Sequence, residues 1–252
     1  MTVFDQFRLD GQVALVTGGT RGLGLEIAVA LAEAGARVAV AGRRASYFDH
    51  AREYLPDALC LTADVADESQ VQAAVADTRE ALGPIGILVN SAGISWGEPT
   101  LEMSAESFRR VMQVNVDGTF YACRAVARDM MQAGYGKIIN IASITGIQGE
   151  PQDILEAVGY SSSKGAVIAL TRDLAVKWGP QGIRVNAIAP GYFPSRMTDA
   201  LIGQVEQKLA ARAPLRRIGK AGELAGAGLY LASPASDYVT GHTLVVDGGT
   251  VC

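Results

Sequence analysis

At 252 residues, 49% hydrophobic and only 19% charged, the chain can bury a large core, which excludes wholesale disorder. A net charge of −4 with dispersed Lys and Arg offers no basic footprint, so neither nucleic acid nor an anionic membrane surface is an expected partner. Cys60, Cys123 and Cys252 are odd in number, far apart and without CxxC spacing, which argues against a disulfide framework or zinc site and suits a reducing, cytoplasmic setting.

The N-terminal MTVFDQFRLD has no basic stretch followed by an apolar one, and no run approaches a membrane span. From there, short apolar runs alternate with Ala-rich helical stretches. VALVTG (13–18) leads into a helical pattern over 22–35, then RVAVAG (37–42) and ALCLTADV (58–65). A helical stretch over 68–82 precedes GILVNSAG (86–93), and a long one over 105–132 precedes KIINIAS (137–143). An irregular segment follows, then a helix over 159–179, IRVNAIAPG (183–191), two more helical segments and TLVVDGG (243–249). Seven near-continuous apolar strands separated by helices predict one α/β domain over 1–252, a doubly wound Rossmann-type parallel sheet covered on both faces. In such sheets ligands bind beyond the carboxyl ends of the strands.

TGGTRGLG (17–24) stands where that rule puts a phosphate cradle, directly after the first strand and opening the first helix. Gly18, Thr20, Arg21, Gly22, Leu23 and Gly24 are the expected pyrophosphate contacts. The second strand ends in Gly42, Arg43 and Arg44 rather than in an acidic residue for the ribose 2′-hydroxyl. With Arg21, these guanidiniums suit a 2′-phosphate, so NADP(H) is preferred and NAD(H) is the second choice.

His50 and His242 sit in no metal-binding spacing, and no GxSxG elbow occurs, so no metal is expected and acid/base work falls to other side chains. Tyr160 and Lys164 are four apart in a helical stretch and project from one face. An ammonium beside a phenol favours the phenolate and lowers its pKa from about 10. Ser143, at a strand end, can hydrogen-bond a substrate oxygen. Asn115 interrupts its long helix and is expected to bind a water linking Lys164 to solvent.

TGGTRGLG, ADV (63–65), NSAG (90–93), Asn115 in NVDG, Ser143, YSSSK (160–164) and PG (190–191) occur together in an order that resembles the short-chain dehydrogenase/reductase family over essentially the whole chain. Within the family the chain looks most like gluconate/sugar dehydrogenases and 3-oxoacyl reductases. The resemblance implies a catalytic set of Asn115, Ser143, Tyr160 and Lys164. It implies Asp64 and Val65 at the adenine, and Asn90, Ala92 and Gly93 along the cofactor. Lys164 would hold the nicotinamide ribose beside Tyr160. Pro190, Gly191, Phe193 and Ser195 would stand near the carboxamide, Ser195 replacing the family's usual threonine.

Ser95, Trp96, Thr145, Gln148, Glu150, Ile154, Tyr192 and Met197 are the expected substrate contacts, because they lie in the loops after the fourth, fifth and sixth strands. The segment between Ser143 and Tyr160 is longer than the family usually carries and is expected to cap the pocket. The expected activity is interconversion of a secondary alcohol and a ketone, on a keto-sugar, sugar acid, 3-oxo ester or related small carbonyl. Alternatives are a 3-oxoacyl-thioester reductase and a non-catalytic dinucleotide sensor. Carrier-dependent members resemble one another in basic residues near the active-site mouth, where this chain has Gly134 and Gln181. Apolar Val111, Met112, Val126 and Met130 look surplus to one sheet contact, and with the family's habit they imply a homotetramer.

Overall fold

Val13–Thr17 (β1) is buried along its whole length, as is Ile87–Asn90 (β4), and this two-sided burial sets the architecture. The computed structural model describes residues 2–194 and 199–252. Between β1 and β4 run Gly22–Glu33 (α1), Arg37–Gly42 (β2), Phe48–Tyr54 (α2), Leu59–Thr62 (β3) and Glu68–Leu82 (α3). After β4 come Ala105–Met112 (α4), Gly118–Ala133 (α5), Gly136–Ile141 (β5), Val158–Trp178 (α6), Ile183–Pro190 (β6), Asp199–Arg212 (α7), Ala225–Ala232 (α8) and Thr243–Val246 (β7).

All seven strands are parallel, in the order β3-β2-β1-β4-β5-β6-β7. Alternate residues face opposite layers, as a period of two requires. Val13, Leu15, Leu88, Ile138 and Val185 pack with α3, α5 and the end of α6. Ala14, Val16, Ile87, Val89, Ile139 and Ile188 pack with α1 and α8 on the other face. The chain reverses its winding between β1 and β4, and ligand crevices open at that switch point.

The interruption expected at Asn115 divides the stretch 105–132 into two helices, parted at Gln113–Asp117 by a wide turn in which Gln113 O accepts from Gly118 N–H, five residues on. Three other sequence readings need correction. The short α2 was not predicted: one buried residue, Ala51, leaves it no legible period. Val111, Val126 and Met130 are each 1% exposed within a single chain, so they belong to its own interior and are not surplus apolar surface. Gly134 and Gln181 flank Gly136 and Ile183, the first residues of β5 and β6. They therefore sit at the amino edge of the sheet, opposite the strand ends where ligands bind, and say nothing about a carrier at the mouth.

Candidate active site

The glycine loop comes first. Gly18 has φ +67°, and a Cβ there would stand 2.6 Å from Ala92 N, so only glycine lets this turn close on the turn after β4. Helix α1 then starts from an extended Arg21 with no side-chain cap. Its first-turn N–H groups and dipole face an open groove. This groove, about 330 Å³, is lined by Gly18, Thr20 to Gly24, Arg43, Arg44, Val65, Ala92, Gly93, Ser143, Tyr160, Lys164, Pro190, Gly191 and Phe193. Among the described residues its lining includes three arginines and a lysine and no carboxylate. The Arg21 guanidinium lies 4.5 Å from the ring centre of Tyr47, and Arg44 Nη1 donates to the Tyr47 hydroxyl at 3.3 Å.

Two expected cofactor residues turn elsewhere. Asp64 faces Arg110 Nη2 at 3.4 Å and accepts from Ala66 N–H, while its neighbours Ala63 and Val65 line the groove. Asn90 points into the core, its Nδ2 donating to Asn140 Oδ1 at 2.9 Å, where it ties β4 to β5. Ser195 and Met197 lie outside the described residues. Tyr47 was missed, although an aromatic residue just after Arg43-Arg44 was a signal in the sequence.

At the end of β5 the backbone turns at Ser143, whose Oγ accepts from Thr145 N–H at 3.2 Å and Thr145 Oγ1 at 3.1 Å. With both lone pairs engaged, the Ser143 O–H is left to donate. Lys164 reaches back from α6 and donates to Ile141 O at 2.7 Å, leaving two of its three donors for the groove. A Cβ on Gly93 would stand 3.7 Å from Lys164 Nζ and 3.3 Å from Asn115 Oδ1, so glycine keeps that approach open.

Three of the four hydrogen-bonding positions of the Asn115 side chain, in the wide turn, are engaged. Its Oδ1 accepts from Ile94 N–H at 2.8 Å, and Nδ2 donates to Ile94 O and Ser163 Oγ, both at 2.9 Å. It thereby fixes the loop after β4 against α6.

Burial sets the proton affinities here. Lys164 has no carboxylate partner among the described residues, and desolvation lowers it to about 8. Tyr160 is pushed above its ordinary value by burial, with the Ser143 hydroxyl pulling the other way. The expectation of a phenol lowered by its lysine is thus reversed: Lys164 Nζ lies 5.5 Å from the ring centre, aimed at a carbonyl, and its own charge is weakened by burial.

A second cavity of about 730 Å³, within the usual range for small-molecule sites, adjoins the groove. Ser143, Tyr160 and Gly191 line both spaces. Ser95, Thr145, Ile154 and Tyr192 line the second, as expected, joined by Gly97, Glu98, Pro99 and Val205, which sequence reasoning missed. Trp96 is 54% exposed and donates to Glu98 from outside; Gln148 and Glu150 are not on the wall. No cluster of three or more metal-ligating side chains occurs among the described residues, and no described helix is long and apolar enough to cross a membrane.

Residues 18–251 match a family model described as enoyl-(acyl carrier protein) reductase. Galactitol 2-dehydrogenase (L-tagatose-forming) of Cereibacter sphaeroides is 46% identical over 96% of both chains. Gluconate 5-dehydrogenase of Gluconobacter oxydans is 40% identical over 97% of this chain and 96% of its own. A gluconate 5-dehydrogenase of Burkholderia cenocepacia, solved with NADP and tartrate, superposes with a TM-score of 0.93 at 40% identity, over 99% of this chain and 98% of that one. With its doubly wound sheet, its glycine cradle and its Ser-Tyr-Lys junction, this chain belongs to the short-chain dehydrogenase/reductase family, enzymes that oxidise CH–OH groups or reduce the corresponding carbonyls with NAD(P).

Proposed function

We propose that the chain is an NADP(H)-dependent oxidoreductase that interconverts a secondary alcohol and a ketone of the sugar or sugar-derived class. The carrying observation is that Ser143 and Tyr160 line both the groove and the second cavity, so one carbonyl oxygen can meet both while its carbon faces the groove. NADP(H) is favoured because Arg21, Arg43 and Arg44 line the adenine-side groove and no carboxylate does among the described residues.

The bound dinucleotide supplies or accepts the hydride. Ser143 donates its O–H to the substrate oxygen, held in that role by the two hydrogen bonds from Thr145. In reduction, Tyr160 gives its phenolic proton to the oxygen as the C=O π electrons become an alkoxide lone pair; in oxidation it takes the proton back. Lys164 offers its two spare donors to ribose hydroxyls, which would hold the nicotinamide ribose beside Tyr160. Asn115 secures the scaffold on which this relay rests.

Tyr160→Phe tests the assignment. Turnover with NADPH and a panel of keto-sugars and small ketones falls at least about a thousandfold, while NADPH binding followed by fluorescence stays within about threefold. Retained turnover would remove Tyr160 as the proton donor. A homotetramer belongs to the same reading, on the family resemblance; light scattering that reports one or two chain masses would overturn it. So does a cytoplasmic setting, on the three free cysteines.

A further inference from the structure

The second cavity has a wall of one sign. Glu98, Asp153 and Glu156 line it, and no lysine or arginine does among the described residues. Glu98 N–H donates to Glu156 O at 2.8 Å, so the loop after β4 and the segment before α6 bring these two acidic residues together. Glu98 accepts from Trp96 Nε1 at 3.1 Å and Glu156 from Gln152 Nε2, neither of them a cation.

The nearby cations on α7 are already matched. Lys208 Nζ lies 2.7 Å from Asp153 Oδ2, and Arg212 pairs with Glu150, whose side chain is 1% exposed. The segment between Ser143 and α6 thus covers the pocket and also neutralises the helix beside it. Glu150 itself is not on the wall: it is buried against Arg212 and beside the Tyr192 phenol, whose proton affinity burial and the Glu150 charge both raise.

We infer that the pocket selects a neutral, polyhydroxylated substrate, a polyol or its keto-sugar, and discriminates against sugar acids and anionic thioesters. The inference rests on the oxidoreductase reading and narrows it. An anionic substrate would have to enter against Glu98 and Glu156 with no countercharge among the described lining residues, and like-charge contacts are a common means of rejecting a wrong partner.

The test uses the purified enzyme with NADP⁺ and two matched pairs, galactitol with galactonate and glucitol with gluconate, each differing by CH₂OH against CO₂⁻. The expected result is a kcat/KM at least about tenfold higher for the neutral member, a ratio that shrinks as salt rises from about 0.05 to 0.5 M. Glu98→Gln with Glu156→Gln narrows the same ratio by about tenfold. Equal or better turnover of the acids overturns the inference and leaves the oxidoreductase reading standing. Cofactor binding without turnover of any alcohol, or of the corresponding ketones with NADPH, overturns both. A neutral preference unmoved by salt and by the double substitution overturns the electrostatic cause.

Discussion

The cofactor groove and the substrate cavity meet at Ser143, Tyr160 and Gly191, yet they carry opposite charge. Among the described residues, the groove gathers Arg21, Arg43, Arg44 and Lys164 with no acidic side chain on its wall, and the cavity gathers Glu98, Asp153 and Glu156 with no basic one. Under the proposed function, a site divided this way would sort its two ligands by charge, sending the phosphate-bearing one to one side and a neutral one to the other. The proposed reaction sits at that boundary, and Lys164, on the groove wall, lies 5.5 Å from the Tyr160 ring centre.

That lysine gives the strongest way to break the contrast. In Lys164→Met, kcat is expected to fall by about a thousandfold or more and the KM for NADPH to rise, with the substrate KM little changed, because Lys164 lines only the groove. Stability carries a separate signature. Burial lowers Lys164 to about 8 in the folded chain from an ordinary 10.5. Between those values the unfolded chain holds a proton that the folded chain has released, so wild-type stability rises with pH across pH 8 to 10.5 and gains on the variant by on the order of 3 kcal/mol at full extent. Chemical denaturation of both proteins at pH 7 and pH 10 measures this. Parallel behaviour would mean that Lys164 is not desolvated.

A smaller effect is expected on the groove's cationic wall. The double substitution Arg43→Ala, Arg44→Ala raises the KM for NADPH roughly ten- to a hundredfold, the loss of one or two charge-assisted hydrogen bonds at about 1.5–3 kcal/mol. The KM for NADH shifts by less than about threefold. Equal losses for both nucleotides would show that these arginines support the fold of the groove and do not read a 2′-phosphate.

The two spaces also differ in how far the amino-acid sequence reveals them. Gly18, the α1 terminus, Tyr160 and Lys164 are legible because each depends on local backbone geometry or a fixed spacing along one element. The parallel sheet is legible for the same reason, through strand runs that are apolar on both faces. Asn90 shows the limit: the motif marks its position, but only the packed structure shows its amide spent on Asn140 across the sheet. The cavity wall is harder still. Glu98 and Glu156 come from loops 58 residues apart in sequence, and the partners of Glu150 and Asp153 lie on α7, 62 and 55 residues downstream. No periodicity announces such pairings, because side-chain contacts between loops leave no local pattern.

The gentlest test addresses whether the α7 pairs serve charge or mere fastening. Asp153 and Lys208 are 64% and 57% exposed, a setting in which an ion pair contributes well under about 1 kcal/mol. Asp153→Asn is therefore expected to move the thermal midpoint by no more than about 2–4 °C. It also frees Lys208 beside the pocket, so the ratio of acid to neutral turnover should rise about threefold at low salt and return to the wild-type value near 0.5 M. If the midpoint instead falls by 10 °C or so with the ratio unchanged, the segment between Ser143 and α6 is held by that contact as a strap. Asp153 would then have no part in choosing the substrate, and the acidic wall would reduce to Glu98 and Glu156.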